Sequence, residues 1–328
     1  MSLRILHAVS SNLASPWLSA HAANVAWLPG ALRDRGHDVT VRIIDPATAG
    51  PATLGAEGFD VVHIHDIGDA PLPALAHQRN VLVTGYASGA RAAGLPWIAL
   101  STMQERQAGV PALAVFPPAI DTAAVPAVFD RSDALAFGFD GHDDYALGAA
   151  ISIAAHAERP LDVVMPAHVV VGEACSGRLA DAQSSGFVRV HRVARNEFPM
   201  PIANAAAYLA LCRTPFDMGA LSAMATGTPV VTFSGMPAAG VIVGGESGFV
   251  CERPEEAARV LERLDLLRPA LGRSRASIVF DTAAAAMRHE ALYERMLAGE
   301  IVSRFGPRVP AHAVQLPAAG SREEVAVA

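Results

Sequence analysis

Residues 213–233, RTPFDMGALSAMATGTPVVTF, decide the fold that this sequence predicts. The stretch ends in residues 230–233, an apolar run with high strand propensity that follows a Gly-Thr-Pro turn. A short helical pattern with small residues precedes the turn, and a second strand pattern at residues 207–211 precedes that helix. This order is typical of an open parallel sheet. Ligands bind such sheets beyond the carboxyl ends of the strands, where a helix N-terminus presents free N–H groups.

The composition of the chain narrows the class of protein. A length of 328 residues is too great for one small core and favours two domains. The net charge of −7 argues against a nucleic-acid partner and gives no signal for a membrane surface. All 25 basic residues are arginine, so a mechanism that needs a lysine is excluded. Three widely spaced cysteines and the lack of an apolar leader pattern predict free thiols in a reducing cytoplasm.

Strand and helix patterns alternate through both halves of the chain. The predicted strands are residues 3–9, 38–44, 61–65, 81–84, 98–101, 114–116, 134–138, 161–165, 187–190, 207–211, 230–233 and 248–251. The main predicted helices are residues 21–33, 144–157, 255–267 and 282–297. We expect an α/β protein with doubly wound, Rossmann-like domains at residues 1–128 and 131–280. Helix 281–298 is placed to pack back on the first domain, and residues 299–328 have the composition of a disordered tail.

Five local sequences, in order, carry a resemblance to a known family. They are RGHDVTV at 35–41, DVVHIH at 60–65, PAID at 118–121, AMATGTPVV at 223–231 and GGESGFV at 244–250. Together they resemble motifs of the GT-B glycosyltransferases, of the retaining family-four type. The resemblance implies two Rossmann-like domains that face a central cleft. It also implies metal-independent transfer of a sugar from a nucleotide diphosphate sugar to a small-molecule or glycan acceptor, with no cofactor besides that donor substrate.

The resemblance places the donor on the second domain. The donor-binding candidates are Gly138, Arg192, Arg195, Arg213, Thr214, Phe216, Gly219 and Ser222. Thr214 and Ser222 stand where the family has a pair of glutamates, and the loop after Gly138 lacks the family's Arg and Lys. The three arginines are candidate replacements, although each also fits a solvated surface position. The helix start at residues 218–220 is expected to offer free N–H groups to a phosphate.

These departures leave a second hypothesis open. A charge-assisted hydrogen bond contributes roughly 1.5–3 kcal/mol, so losing the Arg and the Lys removes about 3–6 kcal/mol of donor binding. Thr214 and Ser222 can still form hydrogen bonds, but they carry no charge to stabilise a cationic sugar. The alternative is therefore a catalytically weak or inactive relative that serves as a binding or partner subunit.

The acceptor is expected on the first domain. Its candidate contacts follow the carboxyl ends of predicted strands and are Ser10, Ser11, His65 and Tyr86. Tyr86 stands where the resembling family has a histidine, so the interpretation as a hydrogen-bonding contact competes with simple space filling.

Two groups of side chains have the composition of metal sites, and we favour a metal at neither. Asp140, Asp143 and Asp144 with His142 suit Mg²⁺, but aspartates at the start of a predicted helix also cap it. His63 and His65 point to one face of a strand, as two zinc ligands would. No third ligand is evident near them in the sequence, so a contact at the strand end is the preferred interpretation.

Overall fold

The computed structural model describes residues 2–10, 20–44, 56–65, 80–86, 95–194 and 197–300. The strands are β1 (Arg4–Ser10), β2 (Asp38–Ile44), β3 (Val61–His65), β4 (Val81–Thr84), β5 (Trp97–Ala99), β6 (Ala114–Val115), β7 (Leu135–Gly138), β8 (Leu161–Pro166), β9 (Val188–Val193), β10 (Ala207–Ala210), β11 (Val230–Phe233) and β12 (Gly248–Cys251). The helices are α1 (Ala20–Asp34), α2 (Thr102–Ala108), α3 (Asp144–His156), α4 (Glu173–Ser184), α5 (Pro199–Ala203), α6 (Met218–Thr226), α7 (Pro254–Leu261), α8 (Pro269–Arg275) and α9 (Thr282–Leu297).

The strands form two six-stranded parallel sheets. The first has the order β2-β1-β3-β4-β5-β6 and the second the order β12-β11-β10-β7-β8-β9. In the second sheet β7 lies between β8 and β10, so the strand order reverses there. A crevice opens at such a switch point, outside the carboxyl ends of the two strands. In the second sheet this switch point lies between the carboxyl ends of β7 and β10.

Each sheet is covered by apolar residues on both faces. Along β10, Tyr208 and Ala210 lie in one buried cluster, and Ala207 and Leu209 lie in another on the opposite face. All four residues are buried. The strands of a parallel sheet that is covered on both faces appear in the sequence as continuous apolar runs. This is why the strand patterns in the sequence were clear.

The last helix, α9, packs against the first sheet, although the two are far apart in the sequence. Leu292, Tyr293 and Met296 of α9 share a buried cluster with Leu3 and Ile5 of the first strand region. The chain therefore crosses between the sheets twice. At the return crossing, the Ile120 amide donates to the Phe280 carbonyl across 2.9 Å.

Asp281 stabilises this return crossing through hydrogen bonds. Its carboxylate caps α9 by accepting from the Ala283 amide at 3.0 Å. The same carboxylate accepts from the hydroxyl of Thr122 at 2.7 Å. One side chain thus starts the final helix and holds it against the outgoing segment.

Two predicted elements differ from the structure at their ends. The helix predicted over 255–267 ends at Leu261, where its buried face ends, and Arg263 leaves helical angles (φ −115°, ψ 23°). The strand predicted over 98–101 ends at Ala99. Ser101 instead begins α2, because its hydroxyl accepts from the Gln104 amide at 3.2 Å.

Gly248 in β12 gives a test of strand packing. A Cβ added there would lie 1.9 Å from the Val230 carbonyl oxygen and 2.9 Å from its amide nitrogen, both backbone atoms of the neighbouring strand. We expect Gly248→Ala to destabilise the protein by on the order of 3 kcal/mol, because the backbone cannot yield as a side chain does. Urea unfolding followed by circular dichroism measures the change in midpoint.

Gly177 in α4 is the matched control. A Cβ added there meets no atom within 4 Å. Gly177→Ala should leave stability unchanged or raise it by up to about 1 kcal/mol, since alanine has the higher helix propensity. Equal midpoints for the two variants would contradict the close approach of β11 and β12.

Candidate functional site

The carboxyl ends of the two sheets meet beside the loop before α6. The Ser101 hydroxyl, just after β5, donates to the Pro215 carbonyl at 2.8 Å. Tyr86, which follows β4, packs against a buried cluster that includes Phe216 and Met218. Residues 213–233, from which the fold was predicted, therefore also form a contact between the carboxyl edges of the two sheets.

Tyr208 fills the crevice between β7 and the start of α6. Its side chain is fully buried. A Cβ added at Gly138 would lie 2.7 Å from the Tyr208 hydroxyl oxygen, and one added at Gly219 would lie 2.0 Å from it. Both glycines, which the sequence placed in the donor site, thus make room for a side chain of the protein itself.

Asp217 caps the N-terminus of α6. Its Oδ1 accepts from the Gly219 amide at 2.9 Å and from the Tyr208 hydroxyl at 2.9 Å. Its Oδ2 is buried and has no hydrogen-bond partner among the described residues. Burial raises the pKa of this carboxyl to about 6. The expectation of free N–H groups at this helix start is therefore wrong for Gly219, because the Asp217 carboxylate already accepts a hydrogen bond from its amide.

The two hydroxyls in the glutamate positions also bond within the chain. Thr214 donates from Oγ1 to the Phe216 carbonyl at 3.1 Å, and Ser222 donates from Oγ to the Met218 carbonyl at 3.1 Å. Thr214 is exposed and Ser222 is buried. The ring of Phe216 belongs to the apolar core, with 2% of its surface exposed. Of these three candidates, Thr214 is the one that solvent reaches.

The candidate arginines occupy different places. The Arg213 guanidinium stacks over the exposed Tyr145 ring, 4.3 Å from its centre, beside the start of α3. Arg192 was expected to follow its strand, but it lies within β9, because that strand extends to Val193. Its guanidinium donates to the Val169 carbonyl at 2.8 Å. Arg195 lies outside the described residues.

The acidic loop before α3 caps that helix, as predicted. Asp140 accepts from the His142 amide at 2.9 Å, and Asp143 accepts from the Ala146 amide at 2.9 Å. Asp144 forms two bonds to the Arg178 guanidinium, at 2.8 and 3.0 Å, and this hydrogen bonding lowers the pKa of its carboxyl. The capping interpretation is confirmed for Asp143.

On the first sheet, His65 and Tyr86 are brought together. His65 ends β3, and its Nδ1 lies 3.0 Å from the Tyr86 hydroxyl. His65 is fully buried, whereas Tyr86 is partly exposed. Ser10 is the last residue of β1. Ser11 lies outside the described residues.

A third histidine, which the sequence interpretation missed, completes a buried cluster. His7 of β1 lies in register with His63, and its Nδ1 is 2.7 Å from Nε2 of His65. The view that no third ligand lies near His63 and His65 is therefore wrong. The pairing of two parallel strands would have revealed it, since all three residues alternate onto one face of the sheet.

The ends of the cluster are closed by hydroxyl groups. His63 lies between two of them, with Nε2 2.6 Å from Thr84 Oγ1 and Nδ1 2.7 Å from the Tyr293 hydroxyl. Burial lowers the pKa of His7 to about 3 and lowers the pKa of His63 well below its ordinary value. These two imidazoles are consequently neutral at pH 7.

The chain was compared with known proteins. No protein-family model matches its sequence, and no curated protein matches it either. Within the described ranges, no helix is both long and apolar enough to cross a membrane.

Several solved structures of glycosyltransferases are similar to this chain over most of its length. AviGT4, a glycosyltransferase involved in avilamycin A biosynthesis, gives a TM-score of 0.68 at 20% identity over 90% of this chain and 98% of that one. HepE of Anabaena, solved with UDP, gives 0.63 at 12% identity over 89% and 100%. The catalytic domain of starch synthase IV from Arabidopsis thaliana, bound to ADP and acarbose, gives 0.63 at 11% identity over 91% and 100%. With its two parallel sheets meeting at their carboxyl ends, the chain has the GT-B glycosyltransferase fold.

Proposed function

We propose that the protein is a glycosyltransferase that transfers a sugar from a nucleotide diphosphate sugar to a small-molecule or glycan acceptor. The observation that carries this proposal is the meeting of two parallel sheets at their strand ends, beside the N-terminus of α6. Residues 131–280 form the donor side and residues 1–128 the acceptor side. HepE was solved with UDP and starch synthase IV with ADP, which supports a nucleotide donor.

The proposed transfer is retaining and independent of metal ions. With no lysine in the chain, the leaving diphosphate must be stabilised by arginine and by the helix dipole of α6. Arg213 is the arginine nearest in sequence to this helix start, and its stacking on Tyr145 leaves the guanidinium edge able to form hydrogen bonds. The exposed hydroxyl of Thr214 is placed to bond a donor hydroxyl.

The Asp217 carboxylate favours the second candidate function, a weak or inactive relative that binds a partner. It occupies the helix start where a diphosphate would bind, and Asp140 adds negative potential, as its effect on the pKa of Asp217 indicates. Two like charges in a buried site repel strongly. A diphosphate therefore binds well only when Asp217 is protonated or turned away.

Thermal unfolding against nucleotide sugars tests the enzyme proposal directly. A ligand at 100 times its dissociation constant adds about 2.7 kcal/mol of stability, which raises the midpoint of a chain this size by a few degrees. We expect at least one nucleotide sugar or nucleoside diphosphate to do so at millimolar concentration. If none does at pH 5.5 or at pH 7.5, the glycosyltransferase proposal fails.

Two arginine variants locate the phosphate contact. Arg213→Ala should abolish the ligand-induced shift, whereas Arg192→Ala, whose side chain already bonds the Val169 carbonyl, is the control and should keep it. The opposite pattern would move the donor site towards β9.

Asp217→Asn should make UDP bind more tightly above pH 6. The asparagine keeps an oxygen for the helix cap but carries no charge. Because the pKa of Asp217 is raised to about 6, wild-type affinity should increase as the pH falls from 7.5 to 5.5, by about tenfold for each ~1.4 kcal/mol of repulsion removed. Isothermal titration calorimetry measures both proteins.

The variant also supplies the control for this pH dependence. The terminal phosphate of UDP titrates near pH 6 itself, and this effect is the same for both proteins. The ratio of the two dissociation constants therefore isolates Asp217. A ratio that stays constant between pH 5.5 and 7.5 would contradict the role assigned to its charge.

The same substitution predicts a change in stability without any ligand. A pKa raised from 3.8 to about 6 costs the ionised folded state about 3 kcal/mol, at roughly 1.4 kcal/mol for each pKa unit. The cost is absent below about pH 4 and complete above about pH 6. Asp217→Asn should thus be more stable than wild type at pH 8 and comparable to it at pH 4, in urea unfolding. A difference that is equal at both pH values would show that the carboxyl titrates normally.

A further inference from the structure

The histidine cluster of the first sheet has the composition of a transition-metal site. His7, His63 and His65 each offer a ring nitrogen, and these three nitrogens lie within 4.8 Å of one another. All three side chains have none of their surface exposed. Their ring centres are 4.1 to 5.2 Å apart. Tetrahedral zinc with bonds of 2.0–2.1 Å needs ligand nitrogens about 3.3 Å apart. The 2.7 Å between His7 Nδ1 and His65 Nε2 would therefore widen if both atoms bound the ion.

His7 contains an atom that the protein leaves unexplained. Its Nε2 is buried and has no hydrogen-bond partner among the described residues. Buried polar atoms are satisfied in nearly all native structures, and an exception calls for an explanation such as strain, a functional role, or a bound water or ion. The unpartnered nitrogen belongs to the same cluster as the other two rings.

Hydrogen bonds hold the rings of the cluster in place. The Nδ1 atoms of His63 and His65 lie 2.7 and 3.0 Å from the hydroxyls of Tyr293 and Tyr86, which fix the ring orientations as the partners of metal-ligating histidines do. The Nε2 of His63 lies 2.6 Å from Thr84 Oγ1, and an ion that binds this nitrogen would replace that contact.

We propose that His7, His63 and His65 bind one zinc-type transition-metal ion that ties β1 to β3. Imidazole ligands suit zinc, cobalt, nickel and copper, whereas calcium and magnesium need oxygen ligands. The complete burial of the three rings makes the ion structural, because no substrate reaches it. The site lies in the first sheet, so donor binding on the second sheet stays independent of metal.

The surrounding charge determines how the ion is held. Arg33 adds positive potential at His7, and Arg288 adds it at His289 beside the cluster. A buried dication without an anionic ligand is therefore costly. A hydroxide as the fourth ligand would lower that charge, since water bound to zinc ionises readily.

Cobalt titration of the chelator-treated full-length protein tests the site. We expect one Co²⁺ per chain, with the visible absorption of a four-coordinate ion, and loss of that absorption when Zn²⁺ replaces it. Because the ligands are buried, EDTA should remove the ion far more slowly than it removes ions from surface histidines, so the chelator treatment that prepares the metal-free protein is a prolonged one. Wild-type protein that takes up no Co²⁺, or that loses it to EDTA at once, overturns the proposal.

Variants separate this site from other histidines. His7→Phe keeps the ring volume but has no ligand, and it should abolish the cobalt spectrum. His65→Gln is the second ligand variant, in case the first fails to fold as judged by circular dichroism. His156→Ala, on the exposed face of α3, is the matched control and should leave the spectrum unchanged. A spectrum that survives in a folded ligand variant places the ion elsewhere and overturns the proposal.

Discussion

The buried hydroxyl of Tyr208 is the constraint on which the candidate donor site depends. A phenol that is removed from water needs a hydrogen-bond partner, and here Asp217 accepts from it at 2.9 Å. The same ring prevents any side chain at Gly138 or Gly219. The local shape of the crevice and its negative charge therefore have one origin, since the carboxylate that satisfies Tyr208 also caps α6.

Two arginines around the second sheet are committed to the protein's own acids. Arg178 pairs with Asp144 near the carboxyl end of β7, whereas Arg189 pairs with Asp162 at the opposite, amino ends of β9 and β8, through two bonds of 2.7 and 2.9 Å. Neither guanidinium is left free for a phosphate. Because the chain contains no lysine, the proposed contact with a phosphate is assigned to Arg213.

The sequence predicted the strands well because parallel strands covered on both faces are continuous apolar runs. It predicted β2, β3, β4, β11 and β12 to the residue. It did not predict α4, whose Cys175 and Leu179 are its only buried residues, or α5, which has five residues and two prolines. It also located Ser222 and Gly219 on the correct helix, but not their partners. Those partners depend on how α6 meets β10, which no local pattern contains.

The histidine cluster illustrates the same limit on the first sheet. The alternation of His63 and His65 is visible within one strand, but His7 joins them only through the register of β1 with β3. One of the two hydroxyls that hold His63 comes from Tyr293, 230 residues later in the chain. The last helix thus completes the interior of the first sheet, and Asp281 holds that helix to the outgoing crossing. The interior of the first sheet consequently takes its geometry from both ends of the chain.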